Sequence, residues 1–324
     1  MPNRGQIINN ETLNSIQIRV SYGTAIVLGL VKARQDVAPT TAYLLFDQGC
    51  IGSCSFCPRA NGNQQSKRLS RITWPEFSFA TVVEKLTSEP RPFKRVCLQT
   101  GYNPASIDSL KALAAVLIDS GIATSMTLSP SQTELALEML NNGLDHVGIG
   151  LDAASSETYK EHKRKDWQTD WPALQNLLQK AGNKIEVHLI FGLGDSEEAF
   201  CQRIHEIVAA GGKISLFALT PVNGGSAPAI AAYRRVQAFR FLCENKTTDF
   251  SSCRFSEGRL ISFGINDRQK LASMLQNGDA FRTSGCGDCN RPYYNERPGQ
   301  IFFNYPRALS ASEFSQALSD MQLF

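Results

Sequence analysis

Short apolar runs alternate along the chain with longer stretches whose apolar side chains return every third or fourth position. The runs at 41–46, 95–99, 123–128, 146–151, 185–191 and 214–219 read as buried strands, and 253–255 with 260–263 reads as a seventh. Helical periodicity falls between them, at 75–88, 105–120, 131–142, 170–182, 196–210 and 228–244. Regular βα alternation of this kind predicts a parallel sheet with crossover helices. Six to eight units fit a TIM-type (β/α) barrel of class α/β, whose site lies at the carboxyl ends of the strands.

Residues 1–40 carry Leu13, Ile16, Ile18, Val20, Ile26, Val27, Leu30 and Val31, which predicts a helical lead-in. The barrel is expected over 41–264, and a differently built extension over 265–324. In that extension 267–275 reads as a short helix, 282–299 as a polar loop, Ile301-Phe302-Phe303 as a strand and 311–321 as a closing helix. There is no internal repeat or low-complexity tract.

Composition narrows the class. With 324 residues, 42% of them hydrophobic, the chain can bury a large core. It has no apolar run of about 18 residues, so no membrane span is expected. The polar start Met1-Pro2-Asn3-Arg4 lacks an apolar signal core, so export is not expected. Nine cysteines, an odd number, argue for a reducing cytoplasm rather than disulfides. A net charge of +3 is too small to imply nucleic acid.

Directly after the first predicted strand comes Asp47-Gln48-Gly49-Cys50-Ile51-Gly52-Ser53-Cys54-Ser55-Phe56-Cys57-Pro58. Three thiolates in a C-x-x-x-C-x-x-C array repel one another unless a cation neutralises them. Structural zinc would want a fourth ligand, and no Cys or His follows at a usual short spacing. An iron–sulfur cube held by three cysteines keeps one iron open. With Phe56 just before the last cysteine, the array resembles that of the radical S-adenosylmethionine (SAM) superfamily. The resemblance implies a SAM-binding 4Fe–4S cluster on Cys50, Cys54 and Cys57, with its open iron chelated by SAM.

Every other candidate segment also follows a predicted strand. Gln99-Thr100-Gly101 follows the second, Gly150-Leu151-Asp152 closes the fourth, Gly192-Leu193-Gly194-Asp195 follows the fifth and 220–225 follows the sixth. Singly these glycines are turn punctuation. Together behind the cysteine loop they read as a SAM cradle in which Phe56, Gln99, Thr100, Gly101, Gly192 and Gly194 approach the cofactor and Asp152 meets the ribose hydroxyls. The basic clusters Lys67-Arg68 and Lys163-Arg164-Lys165 read as solvated surface, with an acidic partner or a SAM carboxylate as the alternative. His188 is either a cavity residue or a packed core histidine.

Cys286 and Cys289 form a second array, C-x-x-C, and Cys253 stands at the end of the seventh predicted strand. A zinc knuckle, a redox pair or inert thiols compete with an auxiliary iron–sulfur cluster on Cys253, Cys286 and Cys289. Ser251, Ser252, Ser284, Arg254 or a substrate atom would supply its fourth ligand, and Cys97 is an alternative member. Cys201 and Cys243 lie in helical patterns and read as buried apolar residues.

Over 41–264 the chain resembles biotin synthase, in Met126-Thr127-Leu128, Asn142-Gly143-Leu144-Asp145, Leu151-Asp152, Phe191-Gly192-Leu193-Gly194-Asp195 and Arg254-Phe255-Ser256-Glu257-Gly258-Arg259. Of the four ligand positions of that family's sulfur-donating cluster, Cys97 and Arg254 match, whereas Ser125 and Glu186 replace cysteines. The cysteine loop, Leu69-Ser70-Arg71-Ile72-Thr73-Trp74-Pro75 and the run from Gly285 to Gly299 are similar to biotin-synthase-related proteins that act in pairs as two-component lipoyl synthases. That likeness implies sulfur insertion at C6 or C8 of a protein-bound octanoyl chain, with a second 4Fe–4S cluster as sulfur donor. It implies as partners an octanoylated carrier protein or octanoyl-lysine peptide, a paralogous radical SAM subunit, and a reductant such as ferredoxin or flavodoxin. Two other readings stand beside it: a radical SAM enzyme of rearrangement or methyl-transfer type, and a cluster-bearing scaffold subunit.

Overall fold

Six of the predicted strands lie side by side and point the same way. The computed structural model describes residues 16–46, 48–60, 63, 66–221, 226–296 and 299–323. In chain order its strands are Gln17–Val20 (β1), Ala42–Phe46 (β2), Arg68–Leu69 (β3), Ile72–Thr73 (β4), Glu76–Ser78 (β5), Arg95–Thr100 (β6), Ala123–Leu128 (β7), His146–Asp152 (β8), Ile185–Phe191 (β9), Lys213–Ala218 (β10), Arg254–Ser256 (β11) and Arg259–Ser262 (β12). One eight-stranded sheet runs β10-β9-β8-β7-β6-β2-β1-β5, parallel from β10 to β2 and antiparallel at β1 and β5.

Helices Tyr22–Val27 (α1), Phe79–Thr87 (α2), Ile107–Asp119 (α3), Thr133–Asn141 (α4), Trp167–Ala181 (α5), Glu197–Ala209 (α6) and Ile230–Glu244 (α7) complete the alternation. Side chains alternate across each strand. Val96, Leu98, Val187, Leu189 and Leu216 are fully buried in the core beneath the helices. The other face carries Tyr43, Cys97, Gln99, Glu186, His188, Ser215 and Phe217, which line cavities. Among the described residues no helix is long and apolar enough to cross a membrane.

Four stretches differ from expectation. Residues 76–78, inside the helical pattern read at 75–88, form β5 and pair with β1, so the helix begins only at Phe79. Residues 17–20 form a strand, not a helix, because Ile18 and Val20 alternate with Gln17 and Arg19; Arg19 pairs with Glu76 on β5 at 3.3 Å. Leu13 lies outside the described residues. The run 253–263 does not add a barrel strand. It folds back as the antiparallel hairpin β11–β12, since Glu257 (φ 51°) and Gly258 (φ 74°) take the two left-handed positions of a tight turn. That hairpin docks on the outer helices, with Glu198 N–H donating to Gly258 O (3.0 Å) and Leu260 N–H to Glu197 Oε2 (3.2 Å). Residues 301–303 form no strand; the carbonyls of Phe302 and Phe303 instead accept from the buried Arg234.

The tail spans the gap that the sheet leaves between its last and first parallel strands. On β10, Leu216 N–H donates to Ser284 Oγ (2.9 Å) and Ala218 O accepts from Asn295 Nδ2 (2.6 Å). Beside β2, Thr41 Oγ1 donates to Asp288 O (2.8 Å), Asn290 Nδ2 to Ala38 O (2.9 Å) and Arg291 N–H to the Tyr43 hydroxyl (3.0 Å). The β3–β4 hairpin closes on it too, through Ser70 Oγ to Tyr294 O (3.2 Å) and Arg71 to the Glu296 carbonyl.

Candidate active site

Cys50, Cys54 and Cys57 leave the carboxyl end of β2 on a partly buried loop. Hydrogen bonds moor that loop on two sides: Ile51 N–H to Tyr102 O (2.9 Å) and Asn103 Nδ2 to Gln48 O (2.7 Å), then Ser55 N–H to His162 O (2.9 Å) with Ser55 Oγ 2.8 Å from His162 Nδ1. Gly101 passes so close that a Cβ there would stand 3.0 Å from Cys50 Cβ. A Cβ at Gly52 would lie 3.3 Å from Cys50 Sγ and 4.0 Å from Cys54 Sγ, so both sulfurs border that residue. Asp47 is outside the described residues.

The three thiols face a cavity of about 230 Å³. Of the expected cradle, Phe56, Gln99, Thr100, Gly101 and Asp152 line it. Asp152 has φ 69° at a point where the β8–β9 ladder shifts register, a bulge that re-aims its side chain. Gly192 (φ 112°) and Gly194 (φ 130°) do not line it; they turn the chain after β9, where Asp195 accepts from Ala154 N–H (2.8 Å) and Ser155 N–H (3.0 Å). Of the loop 220–225, Thr220 lines the cavity and residues 222–225 lie outside the described ones.

Lys163 and Lys165 also line this cavity, contrary to a solvated-face reading. A π-helical turn, Tyr159–Lys163, folds Lys163 inward, and Arg164 ends it in the left-handed region (φ 56°). The ammonium donates to Gly150 O (2.6 Å) and Asp152 Oδ2. Burial works against its charge, but Asp152 and Cys54 outweigh that and hold its pKa up.

A second cavity, about 440 Å³, holds the other thiols. Cys286 and Cys289 meet Cys97 there, not Cys253. Cys253 sits at the foot of the outer hairpin, its thiol 3.4 Å from Asp249 O, with Cys243 and Cys201 as the neighbouring thiols. Arg254, in the same hairpin, is exposed. Around Cys97 stand the residues at the two replaced positions: Ser125 pairs with it across the β6–β7 ladder, and Glu186 faces the same cavity. Gln99, His188, Phe217 and Tyr294 line both cavities and form the wall between them. Burial, with Arg291 and Lys163 nearby, lowers the His188 pKa to about 3, so the imidazole in this wall is neutral. Gly148 makes room for it, since a Cβ there would come within 2.5 Å of His188 Nε2.

A family model, described as the Radical SAM superfamily, matches residues 44–207, about half of the chain, from β2 through the cysteine loop to α6. The chain belongs to the radical SAM superfamily. Biotin synthase of Marinobacter nauticus is 26% identical over 175 residues, 50% of this chain and 46% of that protein. The chain thus aligns with about half the length of this curated relative. Among solved structures, HydG, a maturase of the FeFe-hydrogenase, superposes with a TM-score of 0.51 at 14% identity, covering 75% of this chain and 57% of that one. That likeness is one of fold. Methylornithine synthase (PylB) gives 0.48 at 15% identity, covering 63% and 62%.

Radical SAM membership implies a 4Fe–4S cluster and SAM, and the donor set suits them. Burial pushes Cys57 up to about 11 and raises Cys54 as well, so these thiols stay protonated at neutral pH until a cation displaces their protons. Cys50, Cys54 and Cys57 would hold the cluster; Asp152, Lys163 and Lys165 bring hydrogen-bonding and charged groups to the cavity beside it. Among the described residues no three His, Cys, Asp or Glu converge on a point that could hold a single ion. The second set has a similar character: burial and Cys289 push Cys97 up to about 12, and burial also raises Cys286 and Cys289. Arg95 and Arg291 flank it; burial works against both charges, but Asp145, hydrogen-bonded to Arg95, and Cys289, beside Arg291, outweigh it and hold the guanidinium pKa values up.

Proposed function

We propose that this radical SAM protein inserts sulfur into an unactivated C–H bond, C6 or C8 of a protein-bound octanoyl chain, as one subunit of a two-component lipoyl synthase. The observation that carries this reading is the pair of adjoining cavities, one bordered by Cys50, Cys54 and Cys57 and the other by Cys97, Cys286 and Cys289, with Gln99, His188, Phe217 and Tyr294 between them. When bound, the first cluster supplies the electron that splits SAM into methionine and the 5′-deoxyadenosyl radical, and an auxiliary cluster supplies sulfide. In this reading the extension 265–324 brings auxiliary ligands to a barrel spanning 41–264.

The chain's own residues have three tasks. Asp152 accepts the ribose hydroxyls, and Lys163 and Lys165 take the cofactor's carboxylate. Neutral His188 and the rings of Phe217 and Tyr294 shield the passage between the cavities and keep water from it. Tyr22, Ile26, Val37, Pro39 and Trp74 line the larger cavity and suit an acyl chain; Tyr22, 42% exposed, marks its opening to solvent. The three stretches that resemble lipoyl synthase subunits, the cysteine loop, 69–75 and 285–299, all contribute to the walls of the two cavities. The working partners are an octanoylated carrier protein, a paralogous subunit and a ferredoxin or flavodoxin, in a reducing cytoplasm.

The test is anaerobic reconstitution with iron and sulfide, followed by SAM, reductant, the paralogous subunit and an octanoyl-lysine peptide. A thiolated peptide by mass spectrometry supports the reading. Formation of 5′-deoxyadenosine with no sulfur gain moves the assignment to a rearrangement or methyl-transfer enzyme. Peptide thiolation that persists in Cys54→Ala moves it to a scaffold role.

A further inference from the structure

We propose that Glu186 is the fourth protein ligand of the auxiliary cluster, beside Cys97, Cys286 and Cys289. The proposal rests on the reading that those three thiols hold an iron–sulfur cluster. Glu186 is 3% exposed and reaches from β9 into the cavity that holds them. Its Oε2 accepts from Ser215 Oγ at 3.2 Å, while among the described residues its Oε1 has no hydrogen-bond partner. A buried carboxylate oxygen left without a partner is costly, and metal coordination is one of the few ways to meet that cost.

The tail is shaped around this carboxylate. Gly285, directly before Cys286, has φ 119°, and a Cβ there would stand 2.2 Å from Ser215 Oγ and 3.1 Å from Glu186 Oε2. Only a bare backbone lets Cys286 settle beside Glu186. The Cys286 thiol also lies within hydrogen-bonding reach of this carboxylate, so sulfur and carboxylate share one corner of the cavity. Three thiolates and a carboxylate would face iron, with the Arg95 and Arg291 guanidiniums flanking.

Other candidates are engaged or distant. Ser284 Oγ accepts from Leu216 N–H (2.9 Å), and Ser125 Oγ donates to Val96 O (3.2 Å). Ser251 and Ser252 bond to Asp249 beside the outer hairpin.

The experiment uses the full chain carrying Cys50→Ala, Cys54→Ala and Cys57→Ala, which leaves the second thiol set alone, reconstituted anaerobically and read by iron content and by electron paramagnetic resonance after reduction. This parent is expected to hold about four irons per chain. In it, Glu186→Ala should fall to about three irons per chain with a changed spectrum, because three thiolates leave one iron of the cube without a protein ligand, and Glu186→Cys should restore the fourth iron with a shifted spectrum. Should Glu186→Ala not fold, judged by circular dichroism, Glu186→Cys decides alone. Parent-like iron with a superposable spectrum in Glu186→Cys, or in a folded Glu186→Ala, overturns the assignment of Glu186 and leaves the three thiols standing. If the parent takes up no iron, or keeps all of it after Cys286→Ser and Cys289→Ser, the cluster reading itself falls, and Glu186 with it.

Discussion

The hydroxyl of Tyr43 lies 3.3 Å from the thiol of Cys289, tying the first parallel strand to the tail across 246 residues of sequence. The same hydroxyl accepts the Arg291 N–H at 3.0 Å, and burial together with Cys289 raises the phenol well above its ordinary pKa. Tyr43→Phe keeps the ring but leaves that N–H without its partner. The expected cost is about 1–3 kcal/mol, read by chemical denaturation of the metal-free protein. A stability equal to the parent's would show that the tail does not depend on this bond.

Thiol substitutions should separate the two arrangements considered for the second set. Cys97→Ser, Cys286→Ser and Cys289→Ser are each expected to lower reconstituted iron from about eight to about four per chain, while SAM cleavage persists. Cys253→Ser should leave the iron unchanged. The opposite pattern, loss with Cys253 and none with Cys97, would refute the grouping seen in the fold.

Gly101→Ala should disturb the first set. Its Cβ would press on Cys50 Cβ at 3.0 Å, an overpacking of about 1–3 kcal/mol that the loop meets by moving a ligand. Production of 5′-deoxyadenosine should fall at least tenfold, the equivalent of about 1.4 kcal/mol, and a rate within twofold of the parent's would argue against it.

Lys163→Met leaves Asp152 buried without its cation. Breaking such a pair costs about 3–5 kcal/mol, so the midpoint of urea unfolding should drop clearly. The double variant Lys163→Met/Asp152→Asn should recover most of the loss, because no bare charge then remains.

The thiols also set a pH dependence for the metal-free, reduced protein. Cys57 at about 11 and Cys97 at about 12 lie above the ordinary cysteine value of 9.0. Groups raised on folding stabilise fully below their unfolded pKa and lose that contribution as pH rises through the folded one. The melting temperature should therefore hold up to about pH 9 and fall toward pH 12, and Cys97→Ala should flatten the fall. His188 acts at the other end: held down to about 3 from 6.5, it contributes stability above pH 6.5 that is lost as pH falls toward 3. His188→Gln should weaken that acid response.

The parallel sheet was legible because its strands are continuous apolar runs bounded by polar loops. Those at Ala123–Leu128 and Ile185–Phe191 match residue for residue. Gln17–Val20 was read as helix because four residues cannot fix a period; pairing with β2 and β5 decides it. The first thiol triad was plain from local spacing. The second was only half visible: Cys286 and Cys289 are neighbours in sequence, but their third member, Cys97, is brought to them by the tail's path across the sheet. Cys253 misled through the Glu257-Gly258 turn, which sends the chain back on itself outside the barrel. Lys163 was taken for surface because a π-helical turn leaves no periodic mark in Lys-Arg-Lys. Glu186 was noted as a replaced position, yet its unpartnered oxygen is a fact of packing.

The tail that carries Cys286 and Cys289 also covers the open side of β10 through Ser284 and Asn295. If those thiols hold a cluster, metal supply and solubility are linked. On the proposed cluster reading, iron bound by those thiols would clamp the cover in place, whereas a chain starved of iron would bare a row of unpaired amide and carbonyl groups that invites pairing with other chains. Aggregation under iron limitation, visible as light scattering, would then be the cost of building a cluster site into the closure of the barrel.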